Sequence, residues 1–579
     1  MAPIVRFPYI DDYYQDIIIN EFKKINNQAH EVSSNCLKKT GMRMTQNRML
    51  QFVLMITFQF AFGLTKSGTF SLLTSGNAEK VRAYIASTDK AFPGGSTAIK
   101  RIRLVLEECQ NELMALAGYF QDGFYVAVGT QARDAFAVEY RSRRCAMTPP
   151  PECFIGLVAP SKLFPDLNVE ERGILIPFFN AKIYLRAKRI SSTAELVGDL
   201  KTPSFTGTMT FPLAAKLGFF GGPPRQNAFY DAFRDLERMA VDIDEILNDK
   251  LAHLEMFDLS VVSVDGTNVP VDKRDKTGSI GTGSRGTFFG HKSSIACDAR
   301  CFPLHCELDT GHRSDLKMFS DTITPVKDLA NRSGEDIWCV VADAAYSDLS
   351  VLSEVESMNA VPIMDINPKN SLLLKELKEK GTELQKFTKK ALKTASRGLK
   401  LKIRETLRSL SQKRGSSLPV DEKKSILGGL TRLVGERILL KGLSTKELQI
   451  AGQLRNELLA IRRKIRLSGT SYEKTVGLSA LAYGTIEWLM IYSIRGQNEG
   501  INGLLKKRGD LIGDGQHTSW LIGRKTLSGR QTMDSIGIKY IAVVKFIITS
   551  QRDHFLRTIH NWRQSKRFFC FCLLVIFCR

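Results

Sequence analysis

A series of short apolar segments between residues 259 and 366 constrains the fold of this 579-residue chain more than any other feature. β-Branched and aromatic residues predict three consecutive strands, then strands separated by helical segments. The predicted strands are Leu259–Thr267, Gly286–Asp298, Phe302–Asp309, Ile337–Asp343 and Ala360–Ile366, with helices beginning at Ser314-Asp315 and Ser347. The order β-β-β-α-β-α-β predicts an α/β core built on a mixed sheet.

Acidic residues lie at the ends of the first and fourth predicted strands, as Asp265 and Asp343. In a mixed sheet these two strands can be neighbours, which would bring both carboxylates to one edge. Two close carboxylates repel each other unless a cation lies between them. Hard oxygen ligands of this kind favour Mg²⁺. The sequence therefore predicts a magnesium site at that edge of the sheet.

A third acid, Glu499, lies in a stretch with the spacing Y-x2-R-x3-E-x6-K. On one continuous helix, Tyr492, Arg495, Glu499, Asn502 and Lys506 would share a face at roughly 100° per residue. We interpret Glu499 as a third metal ligand and the other four residues as DNA-binding groups. Alternatively, Glu499 is an ordinary first-turn glutamate favoured by the helix dipole, and Tyr492 and Arg495 precede the helix.

This ordered set of motifs resembles the DDE transposases of bacterial and archaeal insertion sequences, in the subgroup marked by a Y-R-E-K signature. The resemblance covers about 259–366 and 484–545. It implies a ribonuclease-H-like fold with Asp265, Asp343 and Glu499 as the catalytic triad. It also implies two bound Mg²⁺ ions, with Mn²⁺ as a substitute. The supporting motifs are Val264-Asp-Gly-Thr, Gly290-His-Lys, Cys297-Asp-Ala, Thr310-Gly-His-Arg-Ser-Asp315 and Ala342-Asp-Ala-Ala-Tyr346.

The resemblance implies an endonuclease and DNA strand transferase. Such an enzyme cleaves the ends of an insertion sequence and joins them to target DNA. Its expected partners are the terminal inverted repeats, the target DNA and a second copy of the chain. Two alternatives stay open: a ribonuclease-H-like DNA nuclease without strand transfer, and a non-catalytic DNA-binding relic of a transposase.

The positive charge is concentrated in one segment. Between Lys369 and Thr470 there are 26 Lys and Arg against 9 Asp and Glu, which is +17 of the chain's net +22. A nucleic acid is the first partner this predicts and an anionic membrane surface the second; a solvated face is the alternative. Helical periodicity over Lys375–Leu410 and Ile450–Leu467 predicts a basic helical insertion at 370–475. A strand-like stretch, Thr485–Tyr492, is expected to return the chain to the core.

The remaining regions are less specific. Residues 1–120 are predicted to be mainly helical and to bind DNA ends, with a buried helix around Phe52–Phe62, and 121–250 has no assigned role. The core is predicted at 251–369 and 476–550, with a tail at 551–579.

Eleven cysteines without a CxxC pair or a secretory signal indicate reduced thiols. We expect a cytoplasmic, nucleoid-associated prokaryotic protein without a membrane anchor, since the apolar run Phe568–Cys578 is too short to span a bilayer.

Two further patterns have simpler explanations. Gly281–Gly286 matches GxGxxG, but no helix is predicted after it, so we interpret it as a hairpin and not as a dinucleotide site. Cys297, Cys301, His305 and Cys306 are close in sequence and suggest zinc. Their spacing fits no common structural zinc site, and alternating burial across a hairpin explains them equally well.

Overall fold

The computed structural model divides the chain into two compact units. One consists of Met1–Phe233 with Lys539–Arg579, and the other of Arg234–Ile538. The residues described are 10, 12–74, 78–89, 95–143, 149–188, 190, 192–206, 208–210, 212–283, 286–300, 302–394, 418–429, 442–479, 481–508, 524–525 and 527–544. The predicted tail at 551–579 lies outside them. The functions predicted for the five sequence regions stay predictions.

The first unit is mainly helical, as predicted for its N-terminal part. One small antiparallel hairpin, β1 (Ser204–Thr206) and β2 (Thr208–Thr210), interrupts the helices. The helices are α1 (Asp12–Lys24), α2 (Asn26–Thr40), α3 (Gln46–Ala61), α4 (Lys66–Thr74), α5 (Glu79–Ala86), α6 (Gly95–Arg143), α7 (Pro160–Leu163), α8 (Val169–Lys188), α9 (Thr193–Leu200) and α10 (Pro212–Lys216), with a 3₁₀ turn at Pro151–Phe154.

Helix α3 forms the centre of the first unit. Thr45 caps it by accepting a hydrogen bond from the Arg48 N–H, and every residue from Met49 to Ala61 is buried. The predicted buried helix is therefore confirmed. No single helix in the described part of the chain has the length and apolar composition to cross a bilayer. Helices α3 and α4 meet these two criteria only when they are taken together, as a pair bent by 111°.

The second unit contains a six-stranded mixed sheet. Its strands are β3 (Val261–Pro270), β4 (Ser279–Gly283), β5 (Gly286–Cys297), β6 (Pro303–Thr310), β7 (Cys339–Ala342) and β8 (Val361–Met364). The hydrogen-bonded order is β4-β5-β3-β7-β8, and β6 also pairs with β5. Strand β3 is antiparallel to β5 and parallel to β7, and β7 is parallel to β8. The predicted pairing of the first and fourth strands of the core is confirmed.

Helices enter this unit before the sheet and between its strands. Helix α11 (Gln226–Arg238) crosses the boundary between the two units. The others are α12 (Ala240–His253), α13 (Asp315–Ser333) and α14 (Leu349–Ser357), with a 3₁₀ turn at Ala344–Tyr346. Helix α13 follows Ser314 and ends at Gly334, whose φ of 67° suits a glycine. Asp348 caps α14 by accepting a hydrogen bond from Ser350 N. The predicted β-β-β-α-β-α-β order is found with one additional strand, β4, which was not predicted and lies between the first two predicted strands.

The insertion after β8 is helical in its described part, as predicted. It contains α15 (Leu372–Thr394), α16 (Val420–Gly428), α17 (Thr445–Ser468) and α18 (Ser471–Gly477). A capping box of Ser444 and Glu447 begins α17, and Leu454, Leu458 and Ile461 are among its buried residues. Part of the predicted helix over Lys375–Leu410 lies outside the described residues.

The prediction of a strand-like segment at Thr485–Tyr492 is wrong, because these residues form helix α19 (Ile486–Tyr492). Thr485 caps it by accepting from Trp488 N, at 3.4 Å. Short apolar runs look alike in buried strands and buried helices, so periodicity alone could not separate them. A 3₁₀ turn at Ser493–Arg495 leads into α20 (Gly496–Arg508), and a last helix, α21, covers 527–544.

Helix α16 is attached to the sheet by a fully buried lysine, Lys423. Its Nζ donates to the carbonyl oxygens of Ile337 at 3.2 Å and Asn359 at 2.6 Å, and it lies 2.7 Å from Asp336 Oδ2. Ile337 and Asn359 shortly precede β7 and β8. The insertion therefore supplies a cation to the amino ends of these two strands.

Candidate active site at the carboxyl end of β7

The two predicted aspartates lie at the same end of the sheet. Asp265 lies in the middle of β3 and not at its end as predicted, because β3 continues to Pro270 along β5. It is two residues beyond the parallel register pair Ser263↔Val341. Asp343 follows the last residue of β7 directly and accepts a hydrogen bond from Ala345 N at 2.8 Å. Because the two strands are parallel neighbours, their carboxylates project at one edge, as the sequence predicts.

Arg495 connects all three predicted acids. Its Nη2 lies 3.3 Å from Asp265 Oδ1 and 3.7 Å from Asp343 Oδ2, and its Nη1 lies 3.4 Å from Glu499 Oε1. The side chain of Asp265 is 9% exposed, whereas that of Glu499 is 61% exposed. The structure therefore gathers Asp265, Asp343 and Glu499 around one guanidinium group.

Two asparagines on α20 fix this helix against β3. Asn498 is fully buried; its Nδ2 donates to Ser263 O at 2.8 Å, and its Oδ1 accepts from Ser263 Oγ at 3.0 Å. Asn502 Nδ2 donates to Asp265 Oδ2 at 2.9 Å. The sequence analysis missed Asn498 and Ser263. The available signal was two asparagines four residues apart, which share a helix face.

The prediction of one continuous helical stripe is wrong. Tyr492 ends α19, Arg495 lies in the 3₁₀ turn and Glu499 lies on α20. A 3₁₀ turn has about 3.0 residues per turn, so it shifts the phase between the two helices. The face of α20 that meets β3 carries Asn498 and Asn502, while Glu499 lies at its flank.

The four predicted DNA-binding residues have different surroundings. The Tyr492 ring stacks on Trp488, with 4.1 Å between centroids and 17° between planes, and burial raises the pKa of Tyr492. Asn502 is buried, and Arg495 is held by the acids. Lys506 is on α20, but its side chain lies outside the described residues. DNA binding by these residues stays a prediction.

Burial shapes the electrostatics of the aspartates. It raises the pKa of Asp265 to about 6, while Arg495 acts to lower that pKa and Asp343 to raise it. Burial also raises the pKa of Asp343, against the hydrogen bond from the Ala345 N–H and the charge of Arg495. A single guanidinium therefore does not offset the cost of gathering these carboxylates, and the site favours additional positive charge.

Asp315 and Tyr346 pack against Gly266, the residue that follows Asp265. A Cβ at Gly266 would lie 2.8 Å from Asp315 Oδ1 and 3.2 Å from the Tyr346 hydroxyl oxygen. Lys292 Nζ lies 3.4 Å from both carboxylate oxygens of Asp315. A side chain at position 266 would press on the Asp315 carboxylate, and Lys292 compensates the charge of this fourth acid near the triad.

The donor atoms at this site suit a hard divalent cation. The three acids offer only oxygen ligands, and Asn502 Oδ1, beside Asp265, is buried and finds no hydrogen-bond partner in the described part of the chain. In the arrangement seen here, no three His, Cys, Asp or Glu side chains of the described residues are placed to hold one metal ion. The Arg495 guanidinium lies among the carboxylates instead.

The two weaker patterns have structural explanations. Gly281 and Gly283 lie on β4, and the register pair Gly283↔Gly286 joins it to β5, so the predicted hairpin is confirmed. Cys297 and Cys306 pack in an apolar cluster with Ile295, Ile501 and Leu505, which supports burial over zinc binding. Cys301 lies outside the described residues.

Comparison with known proteins gives one match. Residues 256–428 match the family model of the transposase DDE domain. This range contains β3 to β8, Asp265 and Asp343, and it ends before Glu499. No curated protein and no solved structure matches the chain. The matched segment is similar to a transposase DDE domain, and the mixed sheet agrees with the ribonuclease-H-like fold of such domains; the Y-R-E-K subgroup stays a prediction.

Proposed function

We propose that this chain is a Mg²⁺-dependent DDE transposase that cleaves the ends of an insertion sequence and joins them to target DNA. The observation that carries the proposal is the meeting of three acids from distant segments at one end of the sheet. Asp265 and Asp343 lie within the matched domain, and α20 brings Glu499 to them through Arg495.

Each residue of the site has a proposed role in phosphodiester chemistry. Asp265, Asp343 and Glu499 would hold the divalent cations. When bound, two such ions stabilise the attacking and leaving oxygens of an in-line displacement. Asn502 orients Asp265 by its hydrogen bond to Oδ2, and Asn498 fixes the helix that carries Glu499. The chain thus supplies acids in a preorganised arrangement.

The insertion offers a surface for the DNA backbone. Lys375, Lys386, Lys389 and Lys393 are exposed on α15. At roughly 100° per residue they fall within about 60° of one another, along a length of about 27 Å. We call them the α15 lysine row. The ion pairs shown for the described residues include none of these four, whereas Lys380 and Lys390 pair with Glu457 and Glu447. The row is therefore available for phosphates.

A strand-transfer assay tests the proposal. Full-length protein is incubated with Mg²⁺, labelled DNA ends of the element that encodes it and a target plasmid. We expect joined products from the wild-type protein and none from Glu499→Gln or Asp343→Asn, because each change removes a carboxylate of the site. Glu379→Gln, an exposed glutamate on α15, is the matched control and should retain joining.

The outcomes of this assay separate the alternatives. Cleavage without joined product would identify a ribonuclease-H-like nuclease. Binding of DNA ends with neither reaction would identify a non-catalytic relic of a transposase. Joining that persists in Glu499→Gln would contradict the assignment of the third acid.

A further inference from the structure

The Arg495 guanidinium lies among the carboxylates of Asp265, Asp343 and Glu499. We propose that Arg495 is an exchangeable counter-ion: without divalent cations its guanidinium offsets part of the negative charge of the three acids, and it leaves them for a DNA phosphate when cations take its place. This inference rests on the proposed function, because it assumes that these acids bind metal. It adds a second state of Arg495 to the DNA contact predicted from the sequence.

The charges support an exchange. The ion pairs that the described residues form with Asp265, Asp343 and Glu499 all end on Arg495. Three ionised carboxylates and one guanidinium leave a net charge of −2 at the site. A divalent cation in place of the guanidinium brings more positive charge to the same oxygens, so the carboxylates favour the replacement.

The geometry of the guanidinium shows that it is held loosely. Its contacts with the three acids, between 3.3 and 3.7 Å, are longer than the roughly 2.7–2.9 Å of strong charge-assisted hydrogen bonds. Its Nε is buried and has no hydrogen-bond partner among the described residues. No carboxylate forms a close bidentate pair with it. Arg495 is thus attracted by the summed charge rather than locked by a specific geometry.

The two aspartates and the helix that carries Glu499 have supports other than Arg495. Asp265 is held by β3 and by the hydrogen bond from Asn502. Asp343 is held by the N–H of Ala345, and Asn498 fastens α20 to Ser263. Arg495 itself lies in the 3₁₀ turn between two helices. The guanidinium can therefore turn away while Asp265, Asp343 and the backbone of α20 stay in place to receive a cation.

A permanent structural ion pair is the competing explanation, and it predicts the opposite sign. If Arg495 only organises the acids, its removal should disperse them and weaken metal binding. If Arg495 competes with metal, its removal should strengthen metal binding, because the like charge near the ligands is gone.

The test is a Mn²⁺ titration of the full-length protein without DNA, followed by electron paramagnetic resonance of the free ion. We expect Arg495→Gln to bind Mn²⁺ at least about tenfold more tightly than the wild type, since it removes a positive charge in contact with the ligands. Affinity equal to or weaker than that of the wild type would overturn the proposal. Arg495→Lys should bind more tightly by a smaller factor, and it keeps the test valid if the glutamine variant does not fold.

Asp265→Asn, alone and combined with Arg495→Gln, separates two kinds of failure. Mn²⁺ binding that survives Asp265→Asn in both backgrounds would show that the metal lies elsewhere, and the proposed function would fail. Binding that Asp265→Asn abolishes, with no gain from Arg495→Gln, would refute only the exchange.

A second titration, with a 30-base-pair DNA duplex present, tests the destination of Arg495. If DNA strengthens metal binding by some factor, linkage requires that metal strengthens DNA binding by the same factor. We expect DNA to raise the Mn²⁺ affinity of the wild type severalfold and to raise that of Arg495→Gln less. An equal factor in both proteins would refute the transfer of Arg495 to a phosphate.

Discussion

Asn502 donates a hydrogen bond to Asp265 across 2.9 Å and thereby joins α20 to β3 at the most buried of the three site carboxylates. The other oxygen of Asp265 lies 3.3 Å from Arg495. The orientation of Asp265 is therefore set by an amide on one side and a cation on the other. A neutral donor of this kind orients an acid without competing with metal for its charge.

The first prediction concerns this amide. Asn502→Ala should lower the DNA cleavage rate by about 10–100-fold, the usual effect of removing a group that orients a metal ligand. DNA affinity in a gel-shift assay without metal should stay unchanged, because the side chain is buried against Asp265. A large loss of DNA affinity would instead support the sequence-based prediction that Asn502 contacts DNA.

The second prediction concerns the attachment of α20. Asn498→Ala should lower the free energy of unfolding by about 1–3 kcal/mol, because Ser263 loses buried hydrogen-bond partners. Urea denaturation followed by circular dichroism gives this value. Unchanged stability of Asn498→Ala would mean that the Asn498–Ser263 bonds contribute nothing.

The third prediction concerns the α15 lysine row. Changing all four lysines to glutamate should weaken DNA binding and flatten its salt dependence by about 0.9 in log–log slope for each lysine that contacts a phosphate. Changing the same four residues to arginine keeps the charge and should leave both quantities near their wild-type values. A glutamate variant with the wild-type salt slope would show that the row is only solvated.

The fourth prediction concerns pH and Asp298, a fully buried acid of the Cys297-Asp-Ala motif. Its Oδ1 accepts from Phe302 N at 2.7 Å, and its Oδ2 accepts from Asp258 N at 2.8 Å. Burial, against these hydrogen bonds, raises the pKa of Asp298 to about 7. The folded protein therefore keeps this carboxyl protonated between about pH 4 and pH 7, whereas the unfolded chain releases the proton.

Because the folded state binds the extra proton, this group makes the protein less stable as pH rises through that window. Its contribution to the free energy of unfolding should fall by about 2 kcal/mol between pH 5 and pH 7. Chemical denaturation at each pH measures it as the difference between the wild type and Asp298→Asn, which does not titrate. A difference that is constant with pH would refute the raised pKa.

Much of the core could be predicted from the sequence because its patterns are local. The β-branched runs before Asp265 and Asp343 are short and bounded by polar residues, and each formed the expected strand. The neighbouring placement of these strands followed from the order of elements. The sequence could not separate a buried strand from a buried helix at Thr485–Tyr492, where a threonine cap and packing decided the outcome.

The sequence predicted the acids of the site but not the residues that hold these acids in place. Carboxylates are recognised by their chemistry and their position at strand ends. Asn498 and Ser263 act through contacts between residues 235 positions apart, which no spacing rule shows. The single stripe failed for a local reason, because three residues of 3₁₀ geometry changed the direction in which Tyr492 and Glu499 face.

The lysine of α16 has a consequence for any attempt to shorten this protein. Lys423 neutralises Asp336 and satisfies backbone carbonyls at the amino ends of β7 and β8, and Asp343 lies at the opposite end of the four-residue strand β7. A fragment that omits residues 370–475 would lose the Lys423 hydrogen bonds to these carbonyls and its ion pair with Asp336, only one short strand away from the acids. A minimal catalytic fragment must therefore retain Val420–Gly428 or supply a substitute for its lysine.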